Sequence, residues 1–67
     1  MKIHINGNIK EFNGKKITPE ELIMQLNLDG KRFAIERNGE IIPKKNFDGI
    51  YLHDGDKIEI IGAVGGG

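Results

Sequence analysis

The residues of this sequence that could carry chemistry lie at its C-terminal end, which reads GAVGGG from Gly62 to Gly67. None of these side chains is an acid, a base, a nucleophile or a metal ligand, so the segment offers only the terminal carboxylate of Gly67. Extended chain spans roughly 3.3 Å per residue, which gives this segment a reach of about 20 Å. Glycine has no Cβ to clash with the walls of a narrow channel, so Gly65 and Gly66 suit a segment that threads into a partner protein. We therefore expect residues 62–67 to form a slender, flexible arm that presents one acyl group.

A glycine-rich end has a second interpretation, because such ends are commonly frayed termini or linkers. Three features favour a functional arm. The glycines are the last residues of the sequence and follow an apolar segment that ends at Ile61, and serine, the usual companion of glycine in linkers, is absent from the chain. Ordering glycine costs more conformational entropy than ordering any other residue, so the arm is expected to become ordered only when it is bound.

Other catalytic constellations are missing from the sequence. The chain contains neither cysteine nor serine, which excludes disulfides, thiolate metal sites and the usual nucleophilic triads. His4 and His53 are too few for a histidine metal cage, and we expect them at the surface or at a sheet edge. Asp54-Gly55-Asp56 is expected to be a turn, because the remainder of a calcium-loop pattern is missing. We therefore expect no catalytic residue, no metal site and no enzymatic activity.

Length and charge narrow the class of protein further. The 67 residues suffice for one small domain, and a domain of this size buries only about 60% of its unfolded surface, which leaves little core for an enclosed site. Ten basic residues balance ten acidic ones, so the basic excess typical of nucleic-acid binding is missing. No segment approaches the roughly 20 apolar residues of a membrane span, and the N-terminus lacks the apolar core of a signal peptide. We expect a cytoplasmic protein that binds neither nucleic acid nor membranes and is monomeric when free.

The arm must be carried by a folded body, and alternating apolar residues predict its strands. Residues 1–6 form a first strand, Asn6-Gly7 is a hairpin-turn signal, and residues 9–12 return. Residues 33–37 and 40–42 are predicted to form a second hairpin around Asn38-Gly39. Pro43 ends that hairpin because proline lacks the N–H that the ladder needs. A connector over residues 44–49, with a short helical turn around Phe47, leads to the Asp54–Asp56 turn and a last strand over residues 57–61.

The clearest local signal is the start of a helix at the sequence TPEE. Thr18 can accept an orphan backbone N–H, while Glu21 reaches back to the N–H of Thr18, which makes a capping box. Pro19 suits the first helical position, since it has no N–H to leave unpaired and already holds a helical φ. Ile17 and Leu22 are placed for a hydrophobic staple across the helix start. The helix continues toward Asn27 with an apolar stripe of Leu22, Ile23 and Leu26.

The predicted order is strand, strand, helix, strand, strand, connector, strand. Each element has one apolar face to bury, so the helix must cover one face of a mixed sheet of about five strands. The final strand can pair centrally beside the first, which would make a β-grasp arrangement. The pattern alone supports an α+β fold with a helix on a sheet. The predicted domain comprises residues 1–61, and residues 62–67 form the tail.

The sequence resembles the thiamine-biosynthesis sulfur carrier family, ThiS, over essentially its whole length. The resemblance is carried by the N-terminal hairpin, the helix that opens at Thr18, the run Ile35–Pro43, the run Asp54–Ile60 and the end Val64–Gly67. It implies a ubiquitin-like β-grasp fold. It also implies that Gly67 bears the reacting carboxylate and that Gly66 is the other member of the essential glycine pair, with Gly65 extending that pair.

The resemblance further implies a chemical cycle that partner proteins perform. A ThiF-like adenylyltransferase uses Mg-ATP to adenylate the carboxylate of Gly67, and a sulfur donor protein converts the acyl-adenylate to a thiocarboxylate. A ThiG-like thiazole synthase then takes the sulfur into the thiazole ring of thiamine. ATP and magnesium belong to the partner, so this chain is expected to bind no cofactor. Ile61 and Val64, apolar residues beside the tail, are the expected docking residues; the alternative is that Ile61 simply covers the edge of the sheet.

Three other functions remain open. The small subunit of molybdopterin synthase, MoaD, shares the fold, the turn and the diglycine, although its members are usually longer and often carry proline before the tail, where this chain has Ile61-Gly62-Ala63. A ubiquitin-like modifier would instead form isopeptide bonds to lysine. A structural β-grasp module would use no tail chemistry, so removal of Gly66 and Gly67 would leave its function intact.

Overall fold

The computed structural model describes residues 1–62, and the predicted site residues Val64, Gly65, Gly66 and Gly67 lie outside them. The described part contains seven strands and two short helices. The strands are β1 (Lys2–Ile5), β2 (Asn8–Glu11), β3 (Lys16–Ile17), β4 (Phe33–Arg37), β5 (Glu40–Ile42), β6 (Leu52–His53) and β7 (Lys57–Gly62). The helices are α1 (Pro19–Gln25) and a 3₁₀ helix (Lys44–Gly49). Neither of them has the length and apolar character needed to cross a membrane.

Five strands form one mixed sheet in the order β2-β1-β7-β4-β5. β7 pairs in parallel with β1 and antiparallel with β4, so the last strand of the chain lies at the centre of the sheet. The predicted pairing of the final strand beside the first is therefore confirmed. β7 ends at Gly62, one residue later than the sequence predicted, because Gly62 still pairs with Phe33 on β4.

Both predicted Asn-Gly hairpins are present, and both adopt the left-handed backbone that two-residue turns require. Asn6 and Gly7 have φ angles of 49° and 85°, and Asn38 and Gly39 have φ angles of 50° and 89°. Positive φ at both central residues is the signature of a type I′ turn, whose twist matches that of the strands it joins. Asparagine and glycine tolerate this conformation best, which explains why the sequence signal was reliable.

Helix α1 begins with the predicted capping box. The Thr18 hydroxyl accepts the N–H of Glu21 at 3.1 Å, and the Glu21 carboxylate accepts the N–H of Thr18 at 3.1 Å. Ile17 and Leu22, the predicted staple, are both buried. The helix ends at Gln25 with Leu26 as its C-cap, after which Asn27 takes a φ of 60° and closes the C-terminus with the backbone pattern of a Schellman motif.

The core lies between the inner face of the sheet and the two helices. It is entirely aliphatic and aromatic and consists of Ile3, Ile5, Ile17, Leu22, Ile23, Ile35, Ile42, Phe47, Leu52 and Ile58. The sequence did not predict β3 and β6, which pair antiparallel through Lys16↔His53 and Ile17↔Leu52. Two-residue strands are too short to show an alternating pattern, which is why they were not predicted. The pair brings together the segment before helix α1 and the segment before the Asp54–Asp56 turn.

Candidate functional site

The predicted arm begins where β7 ends. In the last two pairs of the β4–β7 ladder, Ala34 of β4 pairs with Ile61 and Phe33 pairs with Gly62. The Ile61 side chain is 49% exposed, whereas Ile58, three residues earlier on the opposite face, is buried. We call Ile61 and Gly62 the root of the arm. The root therefore combines a backbone paired in the central strand with an apolar side chain that is accessible to a partner protein.

The side chain of Asn6 holds the backbone of β7 close to this root. Its Oδ1 accepts the N–H of Ile60 at 2.8 Å, and its Nδ2 donates to the C=O of Ile60 at 3.3 Å. The backbone N–H of Asn6 also donates to the C=O of Ile58 at 3.0 Å. Asn6 of the first hairpin thus contacts β7 at Ile58 and at Ile60, on the side of β1.

The second hairpin contacts the opposite end of β7 from the side of β4. Asn38 Oδ1 accepts the N–H of Lys57 at 3.0 Å, and the N–H of Asn38 donates to the C=O of Lys57 at 2.8 Å. Asn38 Nδ2 also donates to Asp56 at 3.3 Å. The two asparagines therefore fix the two ends of the central strand from opposite sides.

Asp56 is the centre of a small polar network beside this second contact. It accepts the N–H of His53 at 2.8 Å and pairs with Arg37 at 3.1 Å. Partial burial acts to raise the pKa of Asp56, but the hydrogen bonds from His53 and Asn38 and the charge of Arg37 outweigh it, so the pKa lies below its ordinary value. Asp54 accepts the N–H of Lys2 at 2.7 Å. These contacts confirm a structural turn, and residues 1–62 hold no cluster of three or more possible metal ligands.

The exposed face of the sheet carries Ile61 in a mixed apolar and acidic setting. Successive strand residues alternate between faces, so Ile61 shares the outer face with Glu59, and across the ladder with Glu36 and Ala34. Glu36 pairs directly with Glu59 on one side and with Ile41 of β5 on the other. Ile41 is 63% exposed, so this part of the outer face presents two open isoleucines around two carboxylates.

A groove of about 870 Å³ lies on the other side of the root. Its lining includes the apolar residues Leu26, Leu28 and Ile60, the cations Lys31 and Arg32, and Gly62 itself. The root of the arm is thus flanked by carboxylates on the outer face and by cations at the groove. This charge separation could not be predicted from the sequence, because Arg32 and Glu36 are close in the chain and only the folded structure shows on which side of the sheet each lies.

The predicted site residues fall into two groups. Ile61 is exposed as a docking residue requires, and its docking role stays a prediction; Val64 and the glycines from Gly65 to Gly67 lie outside the described residues. His53 is exposed and His4 is half-buried, as expected of residues on the surface of a sheet. The contact of Asn6 with β7 was not predicted, because the sequence around Asn6 indicates only a turn.

The mixed five-stranded sheet, with its last strand central and a helix across one face, defines the β-grasp class of ubiquitin-like proteins. Residues 3–67 match the sequence profile of the ThiS family, and the chain belongs to that family. Its fold is similar to the crystal structure of a thiamine biosynthesis protein (ThiS) from Geobacter metallireducens, with a TM-score of 0.86, 29% identity and complete coverage of both chains.

Two relatives extend this comparison. The sulfur carrier protein ThiS of Bacillus subtilis is 35% identical over 65 residues, which cover 97% of this chain and 98% of the relative. A thiazole synthase of Paramagnetospirillum magneticum is 42% identical over 67 residues, which cover all of this chain. The chain spans only 20% of the length of that thiazole synthase, so the similarity concerns one part of a longer protein.

Proposed function

We propose that this chain is a sulfur carrier of thiamine biosynthesis that works through the C-terminal carboxylate of Gly67. The observation that carries the proposal is the match to the ThiS family, which extends through residue 67 and so includes the whole glycine-rich end. The relative from Bacillus subtilis, named a sulfur carrier, matches over nearly its full length. The relatives named thiazole synthases support a connection to the ring that would receive the sulfur.

The chemistry requires activation because a carboxylate oxygen is a poor leaving group. In the proposed cycle a ThiF-like adenylyltransferase joins the Gly67 carboxylate to the α-phosphate of ATP and releases pyrophosphate. Hydrosulfide supplied by a donor protein then attacks the acyl carbon, the bond to AMP breaks, and a thiocarboxylate and a proton remain. A ThiG-like thiazole synthase takes the sulfur, and the carrier returns to its carboxylate form.

The division of labour agrees with the residues of the chain. A thiocarboxylate carries sulfur covalently without cysteine, which this sequence lacks. ATP, magnesium and the acid–base groups are supplied by the partner enzymes. The carrier contributes a deliverable acyl group, threaded through Gly65 and Gly66, and a docking surface around Ile61 and Val64.

Intact mass spectrometry tests this proposal. The full chain is incubated with a ThiF-like enzyme, Mg-ATP and a sulfur donor, and we expect one terminal oxygen to be replaced by sulfur. A chain that lacks Gly67 serves as the matched control and should keep its mass. The enzyme must modify its own carrier under the same conditions, which serves as the positive control. If it does and the mass of the full chain stays unchanged, the proposal is contradicted.

The same sample separates the remaining functions. Sulfur transfer to a thiazole synthase supports the thiamine route, whereas transfer only to the large subunit of molybdopterin synthase would support the MoaD-like one. Covalent ladders on a denaturing gel, formed in cell extract with ATP, would indicate a protein modifier.

A further inference from the structure

Strand β1 is too short to pair with the whole of β7. The parallel register reaches only Ile5↔Ile58, and the chain then turns away through Asn6 and Gly7. Alternate residues of a strand direct their N–H and C=O groups to the same neighbour, so the backbone groups of Ile60 face the side that β1 has left. The Asn6 amide occupies this place, accepting from one group and donating to the other as the next peptide of a strand would.

Ile60 lies two residues before Gly62, the last residue of β7. The position of the backbone at Gly62 therefore depends on how firmly Ile60 is held. On the β4 side the ladder continues to Gly62. On the β1 side, the side-chain amide of Asn6 is the hydrogen-bond partner of the Ile60 backbone within residues 1–62.

We infer that Asn6 is a positioning residue for the carrier arm, an inference that rests on the proposed function. By holding Ile60, its amide keeps the backbone in β7 as far as Gly62, where the predicted arm begins. Without the amide, residues 60–62 keep their partner on one side only, and an adenylating enzyme must order additional chain when it binds the carrier. Fixing one backbone residue costs about a tenfold factor in a binding constant.

The chain contains a matched control for this role. Asn38 has nearly the same left-handed backbone, with φ angles of 50° and 49° at the two asparagines, and its Oδ1 also accepts a β7 N–H. It acts at Lys57, at the opposite end of the strand from the arm. Glycine accepts positive φ, so Asn6→Gly and Asn38→Gly each keep a turn and remove one amide.

The test compares these two variants of the full chain. We expect Asn6→Gly to speed hydrogen exchange at the Ile60 N–H and to raise the KM for the carrier in ATP–pyrophosphate exchange about tenfold, with kcat within about twofold. Asn38→Gly should speed exchange at Lys57 and leave the KM within about twofold. Asn6→Asp keeps the oxygen that accepts from Ile60 but loses the donor, so its KM should lie between those of wild type and Asn6→Gly.

Several results would overturn the inference. These are equal KM increases in the two glycine variants, or a wild-type KM for Asn6→Gly despite faster exchange at Ile60. If Asn6→Gly does not fold, Asn6→Asp decides, since a wild-type KM for it overturns the inference and a raised KM supports it. Failure of the wild-type chain to be adenylated would remove the proposed function itself, whereas normal adenylation of wild type and of Asn6→Gly alike removes only the role of Asn6.

Discussion

Replacement of Ile61 by alanine should weaken both the adenylation of the carrier and the stability of the fold, by about the same free energy. Full burial of an isoleucine side chain contributes about 1.5–3 kcal/mol. Ile61 is 49% exposed in the free chain, so roughly half of that free energy is available to a partner that covers it. Alanine removes most of this contact, which corresponds to about 1 kcal/mol, or about a fivefold rise in the KM for the carrier.

Stability has to be separated from docking, because the covered half of Ile61 packs on its own domain. Its loss should cost about 1 kcal/mol of unfolding free energy and lower Tm by about 4–8 °C in a domain of this size. Ile9→Ala is the matched control, since Ile9 of β2 is also on the outer face and is 60% exposed but lies two strands from β7. It should lower Tm by a similar amount and leave the KM unchanged.

The assay is ATP–pyrophosphate exchange with a ThiF-like enzyme at several carrier concentrations, run beside thermal melting of each variant. A fivefold KM increase for Ile61→Ala alone would support a docking surface at the root of the arm. Equal KM values for the Ile61 and Ile9 variants, at any Tm, would refute the reasoning and would favour the alternative in which Ile61 only covers the sheet.

Four further outcomes are expected. Removal of Gly67, which lies beyond β7, should leave the melting curve unchanged and abolish ATP–pyrophosphate exchange. Thr18→Ala removes the acceptor of the capping box and should lower the unfolding free energy in urea by about 1 kcal/mol. Ile58→Ala, at a fully buried position of the central strand, should lower the unfolding free energy by about 2–5 kcal/mol. Circular dichroism at 37 °C should then show a large fraction of the molecules unfolded. The pKa of Asp56 is lowered in the folded chain, so its contribution to stability is present above its unfolded pKa and is lost as pH falls through the folded value. In urea titrations, the wild-type chain should lose stability below about pH 4. Its stability advantage over the Asp56→Asn variant should shrink over the same range.

The elements that the sequence predicted well are those whose physical cause is local. The capping box of α1 lies within four residues, from Thr18 to Glu21, and each Asn-Gly turn is complete within its own hairpin. The alternation of β7 places Ile58 and Ile61 on opposite faces, and in the structure Ile58 is buried whereas Ile61 is 49% exposed. In each case, one short segment contains both the groups that interact and the backbone preference that brings them together.

The features that the sequence did not predict depend on contacts between distant segments. The bonds between Asn6 and Ile60 join positions 54 residues apart, and no residue near Asn6 indicates that its amide has a second use. The pairing of β3 with β6 likewise requires Ile17 and Leu52 to meet across the core. The cationic groove and the acidic outer face also depend on long-range contacts. Glu36 and Glu59 meet through the register of β4 and β7, whereas Lys31 and Arg32, which precede β4, line the groove together with residues of β1 and β7.

The central position of β7 suits the proposed function, in which partner enzymes bind the carrier at its C-terminal residues. A force applied at Gly62 acts on β7, which is held by the ladders to β1 and β4 and by the packing of Ile58 in the core. An arm attached to an edge strand such as β2 would have one ladder only, and its root could peel away from the sheet. The contacts of Asn6 and Asn38 add a hold at each end of β7, so a partner can draw on the arm while the domain that it recognises keeps its shape.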